Sequence, residues 1–502
     1  MRGLKTSVVT LRHKVFKEVA KVAYEVESDK INDAIEAIPY KITPTEVPKY
    51  RESIYRERAI AAERVRLAMG LSLRPADKPV HVTSGVDQSN ISDKYYEPPL
   101  MQVIPSACDK CEDNVYEVSN QCRGCVAKAC VASCPKDAIS FVNGKAVINR
   151  EKCIRCGKCK QACPYDAIAH KTRPCSDACG IKAIKTDELG RAQIDNDKCV
   201  ACGQCMVACP FAAVADKSQI FQLIQAIKKG DYVVAEVAPA IIGQFGKGIT
   251  LGQIKGALKE VGFKEVYEVA GGADVAAATE AHQYVEEVVS GKLPFLLTSC
   301  CPSWAMLAKK QFPQLIDEVS QALTPMVTTA RSIKQKIPNA RVVFIGPCAA
   351  KKLEASRESV RSDVDFVITF EELAGIFDAK EIDFTNYVAE EPTGEATGAG
   401  RGYAVAGGVA SAIEQCVKEY YPDVEVKIEH AEGLDECKKV LLLAKLGKKN
   451  GCLIEGMGCP GGCIAGAGTN LPVERAKEEV QKFVQNSSVK LPEKDLYEIE
   501  LP

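Results

Sequence analysis

Twenty-four cysteines stand in this chain of 502 residues, and their spacing is the first chemistry it offers. Sixteen lie between Cys108 and Cys209. Cys153, Cys156, Cys159 and Cys163-Pro164 follow C-x2-C-x2-C-x3-C-P, and Cys199, Cys202, Cys205 and Cys209-Pro210 follow it again. Three closely spaced thiolates wrap one iron–sulfur cubane, while the fourth is thrown toward a neighbouring cluster. Structural zinc needs only two separated C-x2-C pairs, so the longer run points to iron. Cys122, Cys125, Cys130 and Cys134-Pro135 form a variant beside the first run. Crossed pairing then predicts one 4Fe–4S cluster on Cys122, Cys125, Cys130 and Cys163, and a second on Cys153, Cys156, Cys159 and Cys134. Cys108-x2-Cys111 and Cys175-x3-Cys179 read as one motif split by insertion of that whole pair. They predict a third cluster on Cys108, Cys111, Cys175 and Cys209, and a fourth on Cys199, Cys202, Cys205 and Cys179. Swaps of single ligands within a pair stay open.

The other eight cysteines lie between Cys300 and Cys463. Five sit in three motifs, TSCCPSW (298–304), GPCAAKKLE (346–354) and EGMGCPGGC (455–463), each behind a predicted strand. Ligands of parallel α/β sheets bind outside the carboxyl ends of strands, so these distant cysteines can converge in one cleft. Cys416 and Cys437 fall on predicted helices and Cys452 opens a strand; all three read as structural thiols.

The elements that must position these groups follow from hydrophobic period. Residues 1–100 form a cysteine-free helical N-terminal region and linker. Val8, Leu11, Val15, Val19, Val22 and Val26 recur at helical spacing, and a second helix is predicted from about Glu46 to Met69. Packing or docking is the expected role. Residues 101–215 repeat CPKDAIS, CPYDAIA, CGIKAIK and CPFAAVA; with a hairpin turn at Asn143-Gly144, they predict a double α+β ferredoxin-like 4Fe–4S domain. Residues 216–472 alternate strands and helices, the pattern of an α/β domain with largely parallel sheets. Residues 473–502 read as a C-terminal helix and tail.

Composition excludes other classes. With 65 basic and 66 acidic residues, the balance argues against a nucleic-acid partner. No apolar stretch of about 18 residues reads as a membrane span, and the start has no secretory signal. A cytoplasmic protein is expected, in which dense cysteines are metal ligands rather than disulfides. GAGRGYAVAGG (398–408) lacks the placement of a dinucleotide loop.

The three motifs, in this order behind a ferredoxin-type segment, resemble the signature motifs of the FeFe-hydrogenases over roughly residues 100–470. The four-cluster segment looks like that of the group B subclass. The resemblance implies an α/β catalytic domain of two lobes and an H-cluster, a 4Fe–4S cubane joined to a diiron subcluster bearing CO, cyanide and azadithiolate. Cys301, Cys348, Cys459 and Cys463 would hold it, with Cys463 bridging to the diiron part. Cys300 would relay protons as a free thiol titrating near its ordinary value of about 8.5. Lys351, oriented by Glu354, would donate to the anionic cluster, and Met457 would pack on it. Gly461 and Gly462 would let the backbone approach the metal. Glu280 and Ser320 match relay positions, whereas Gln283 stands where the well-studied subclass has an acidic residue; Glu286 or Glu287 is then the candidate substitute. Gly346 and Met326 also depart from that subclass, which has methionine and glutamine there.

The implied function is anaerobic hydrogen metabolism: reversible proton reduction and H2 oxidation, with four 4Fe–4S clusters relaying electrons to or from ferredoxin or a similar small carrier, after loading by hydrogenase maturases. Two other classes compete. Iron–sulfur assembly factors share the C-terminal domain but tend to lack the counterparts of Cys300 and Lys351. An H2 sensor usually carries a signalling domain.

Overall fold

The segment Val233–Val237 reads VVAEV and is buried at every position, as a strand covered on both faces must be. It lies inside a four-stranded sheet ordered Glu265–Glu268, Val233–Val237, Arg341–Gly346, Phe366–Thr369, in which all neighbours are parallel. A second sheet sets Cys452–Met457 between Leu296–Leu297 and Lys427–Glu432, again in parallel. The computed structural model describes residues 4, 6–389 and 396–499; residues 500–502 of the expected tail lie outside them.

Helices return the chain between strands where local signals allow. Leu251–Val261 starts at a capping box, Thr250 accepting from Gln253 N–H while the Gln253 side chain accepts from Thr250 N–H. Val269–Gln283 is followed by a π-helical stretch, Tyr284–Val289, which periodicity does not signal. The expected terminal helix spans Val473–Gln485.

Ahead of the parallel sheets, short antiparallel pairs hold the cysteine-rich segment. Met101–Val103 pairs with Val214–Asp216, at its two ends. Within that frame Val115–Val118 pairs with Ile168–Lys171, and the hairpin Ile139–Val142/Lys145–Ile148 turns at Asn143-Gly144. The repeat is exact in backbone geometry. Asp137, Asp166, Lys182 and Ala212, each three residues past Cys134, Cys163, Cys179 and Cys209, all adopt left-handed φ of 47–53°. The next amide in each donates to that cysteine's Sγ: Ala138, Ala167, Ala183 and Ala213, at 3.2–3.4 Å.

The N-terminal region is part of the core rather than an appendage. Helix Ser7–Glu25 buries Leu11, Val15, Val19 and Val22 in the same apolar core as the four-stranded sheet. It packs on helix Phe370–Ala379, where Arg12 pairs with Glu371, both buried. The expected 46–69 helix begins only at Ile54. Glu57 Oε1 accepts from the N–H groups of Lys49, Tyr50 and Arg51, fixing that stretch as a loop, and Ser53 caps the helix. A further helix, Ile31–Ile42, was not signalled, because Pro39 interrupts its pattern.

Candidate active site

The carboxyl ends of three strands from the two sheets face one cavity. Leu296–Leu297 leads to Cys300 and Cys301, Arg341–Gly346 to Cys348, and Cys452–Met457 to Cys459 and Cys463. All five cysteines line one cavity, together with Lys351, Met457, Met326 and Tyr403. Gly458 N–H donates to Cys301 Sγ at 3.3 Å, and the Gln204 amide donates to Cys459 Sγ at 3.2 Å. The cysteine-rich segment therefore reaches the cavity wall. At Gly203 (φ 74°) a Cβ would stand 2.4 Å from Ala467 Cβ, so only glycine permits this contact.

The clustered thiols fit a metal cluster by their chemistry. Burial, then the neighbouring Cys459 and Cys301, pushes Cys348 up to about 12. Cys463 is raised as well by burial, with Cys301 and Cys348 adding to it. Thiols so crowded lose their protons together only if a cation compensates them. Among the described residues no three His, Cys, Asp or Glu converge on one point as a single ion requires; a cubane spreads its sulfurs more widely.

The structure brings other cysteines together in the same manner. Cys175, raised to about 12 by burial, has Cys209, Cys108 and Cys111 as charge neighbours. Cys205 has Cys202, Cys199 and Cys179, Cys130 has Cys163 and Cys125, and Cys159 has Cys153 and Cys156. Cys122 and Cys134 pack in one apolar cluster with Cys130, Cys159 and Cys163. Cys202 also neighbours Cys348, so the last group adjoins the cavity. Arg173, buried and unremarked in the sequence, donates twice to Cys111 C=O (3.0 and 2.8 Å) and to Gly190 C=O (3.1 Å), tying the split motif together.

Lys351 Nζ lies 2.8 Å from Glu354 Oε2. Burial pulls the ammonium's pKa down, but Glu354 chiefly outweighs it and holds it above the ordinary lysine value. That pair lacks a well-aligned hydrogen bond, which leaves N–H donors for whatever fills the cavity. Thr324 donates to Glu354 Oε1 at 2.7 Å.

Behind Cys300 runs a polar chain. Glu280, wholly buried, accepts from Ser299 N–H (2.9 Å) and Ser299 Oγ–H (3.0 Å). Burial raises it to about 7, against the opposing hydrogen bonds from Ser299. Ser320 donates to Gln283 Oε1 at 2.9 Å, and Gln283 Nε2 donates to Glu287 Oε2 at 2.7 Å. Of the two alternatives, Glu287 thus ends the chain, while Glu286 faces Lys292.

The structure adds to three expectations. Burial first, then Glu280 and Cys301, pushes the Cys300 thiol well above its ordinary range. The glycines of the third motif are also required by protein packing. A Cβ at Gly462 (φ 85°) would stand 2.4 Å from Ala406 N, and one at Gly461 2.9 Å from Val473 Cγ1. The space beside Gly346 is taken by the Phe344 ring, 2.3 Å from where a Cβ would be.

The structure also exposes groups the sequence concealed. Glu236 is fully buried and both its oxygens lack a hydrogen-bond partner among the described residues; burial raises its pKa strongly, with Lys351 opposing. The buried Tyr403 hydroxyl is likewise without a partner, and it neighbours Glu280 and Cys300. An acidic residue within a continuous apolar strand was the one available signal for Glu236. Cys416 and Cys437 are buried on helices and Cys452 opens its strand.

Residues 231–467 match the family described as iron only hydrogenase large subunit, C-terminal domain, and residues 146–169 and 192–215 match a 4Fe-4S binding domain. The chain is 28% identical over 395 residues to iron hydrogenase 1 of Clostridium pasteurianum, covering 68% of each chain. It is 30% identical over 305 residues to the NADP-reducing hydrogenase subunit HndD of Solidesulfovibrio fructosivorans, covering 50% of this chain and 52% of that one. It is also 39% identical over 95 residues to the cytosolic Fe-S cluster assembly factor NAR1 of Kluyveromyces lactis, about a fifth of each chain (19% and 20%). No helix among the described residues is long and apolar enough to cross a membrane. With this matched domain behind 4Fe-4S motifs, on a parallel-sheet framework, the chain resembles the FeFe-hydrogenases.

Proposed function

We propose that this chain is a hydrogenase of the four-cluster, group B kind, interconverting protons, electrons and H2 in the cytoplasm. The observation that carries the proposal is the cavity itself: Cys300, Lys351 and Met457 share its wall with Cys301, Cys348, Cys459 and Cys463. The last four would hold an H-cluster, which supplies the redox chemistry of 2H⁺ + 2e⁻ ⇌ H2 when bound. The sixteen cysteines between Cys108 and Cys209 would hold four 4Fe–4S clusters, with the Cys179, Cys199, Cys202 and Cys205 set next to the cavity, and a ferredoxin-like carrier would exchange electrons with them.

The chain's own residues then have defined work. Lys351 offers its ammonium to an anionic occupant, and Glu354 fixes its position. Cys300 passes a proton between the cavity and Glu280, which is poised to hold or release it near pH 7. Ser320 takes it onward. Gln283, an amide, holds Ser320 and Glu287 in line but cannot itself titrate, so outward transfer past Ser320 is the slow segment.

The short NAR1 likeness favours one alternative, an assembly factor without a diiron site. Infrared spectroscopy of anaerobically matured protein separates the two. The proposal expects bands of iron-bound CO and cyanide together with H2 evolution from reduced viologen. Absence of those bands from protein with full iron content overturns it in favour of the assembly factor.

A further inference from the structure

Past Ser320 the proton relay meets Gln283, an amide that cannot titrate. Glu280 has other polar neighbours, however, on the side of the three-stranded sheet. Leu296, Leu453 and Met457 of that sheet share an apolar layer with Ala277 and Ala281 of helix Val269–Gln283 and with Val409 and Ala410 of helix Gly408–Tyr420. Side chains two apart along a strand lie on one face, so Glu455, between Leu453 and Met457, enters this layer. There its carboxylate accepts from the N–H groups of Gly407 and Ala410, both at 2.8 Å. The register Leu297↔Ile454 sets Thr298 beside Glu455, and Thr298, two past Leu296, enters the layer too. Glu280 stands on the helix that packs against it.

The oxygens gathered here are not satisfied by protein. Glu280 Oε2, Thr298 Oγ1 and the Tyr403 hydroxyl are buried without a hydrogen-bond partner among the described residues. Glu455 is a charge neighbour of both Glu280 and Cys300, and Tyr403 neighbours the same two. Buried polar atoms left without protein partners take water, and a water needs two to four of them.

From Glu455 the way to solvent is one residue long. His430 stands opposite it in the parallel pair. Its Nδ1 lies 3.7 Å from Glu455 Oε2, and the two side chains are 53% and 2% exposed. Both line one surface cavity, bordered also by Glu432, Glu436, Glu474 and Lys477. Glu455 chiefly raises the imidazole pKa above its ordinary value, against desolvation, and Glu429 and Glu414 add to it.

We propose that Glu455 and His430 form a second proton exit, which leaves Glu280 on the sheet side and by-passes Gln283. The proposal rests on the hydrogenase reading above and adds a route to it. A proton from Glu280 passes through water held by Thr298 and Tyr403 to the Glu455 carboxylate. His430 takes it at Nδ1 while the other ring nitrogen gives one to solvent, and no electron moves. Histidine changes charge in the neutral range, so it can finish a transfer that an amide cannot.

The test is His430→Gln in the matured full-length protein, a change at a half-exposed side chain. Viologen-driven H2 evolution should lose about tenfold in kcat, less than the full worth of an acid–base group because the Ser320 exit stays open. Viologen KM, iron content and the infrared bands of CO and cyanide should hold, and imidazole added to the buffer should restore the rate. An unchanged kcat and pH profile overturns the proposal. So does a loss that imidazole leaves in place, which marks a structural role. A second readout needs no H2 chemistry: the rate at which the Glu280 carboxyl band shifts after mixing into D2O, in full-length protein loaded with its 4Fe–4S clusters only. His430→Gln should slow that exchange severalfold. Slowed exchange in a protein that evolves no H2 sinks the hydrogenase reading and keeps the route; unaltered exchange in an active one sinks the route alone.

Discussion

Replacing Glu280 by Gln tests the proton relay and its energetic cost together. The carboxyl is wholly buried, and burial raises its pKa from an ordinary 4.5 to about 7. The folded protein thus binds this proton more tightly than the unfolded chain. Below about pH 4.5 both states are protonated and burial exacts no ionisation cost. As pH rises through the window from 4.5 to 7 the cost grows, reaching about 3 kcal/mol above pH 7 at about 1.4 kcal/mol per unit. Gln is close in shape and cannot ionise. Its carbonyl keeps the Ser299 hydrogen bonds, and its amide can donate to Ser320, whose own hydrogen goes to Gln283. Between pH 5 and 8.5 the variant should therefore gain about 2.5 kcal/mol on the parent, through the parent's loss. Differential scanning fluorimetry at the two pH values reads this, and infrared difference spectra should show a protonated-carboxyl band that vanishes with the substitution. H2 evolution should fall by about two to three orders of magnitude, the scale of a positioned acid–base group. A pH-independent stability difference would refute the raised pKa. Retained turnover would refute the relay.

Other changes probe other parts of the argument. Gln283→Glu puts a titratable group between Ser320 and Glu287; turnover should rise severalfold and its solvent isotope effect should shrink, with a stability loss of a few tenths of a kcal/mol (about 0.2–0.5) from the like-charge pair four residues apart. Cys300→Ser should abolish most H2 evolution, while iron content and the infrared bands persist. Arg12→Ala strands Glu371 in the core and should cost about 3–5 kcal/mol in thermal or denaturant unfolding, the penalty for breaking a buried pair. Gly456→Ala places a methyl 2.0 Å from the Trp304 ring and should displace the helix that begins at Pro302; lost cluster absorbance with retained expression checks it.

Much of the site was legible in the sequence because thiolate spacing is a local property. Four repeats of cysteine, left-handed residue and donating alanine are written within a few positions each, and strand-following motifs foretold which cysteines could share a cleft. What stayed hidden depends on segments far apart in the chain. The N-terminal helix reads as amphipathic, but only packing shows that its buried stripe completes the core of the hydrogenase-like domain through Arg12 and Glu371, 359 residues apart. The thiol of Cys300 reads as ordinary from its local sequence; desolvation by surrounding elements, then the Glu280 charge, pushes it up. Glu286 and Glu287 are equivalent in sequence, and the hydrogen bond from Gln283 separates them. The sequence by itself determined what the cysteines can bind, since ligand type and spacing are covalently set. The tertiary structure decided which groups are buried, which share a cavity and which carry a proton, since dielectric and distance are set by the packed chain.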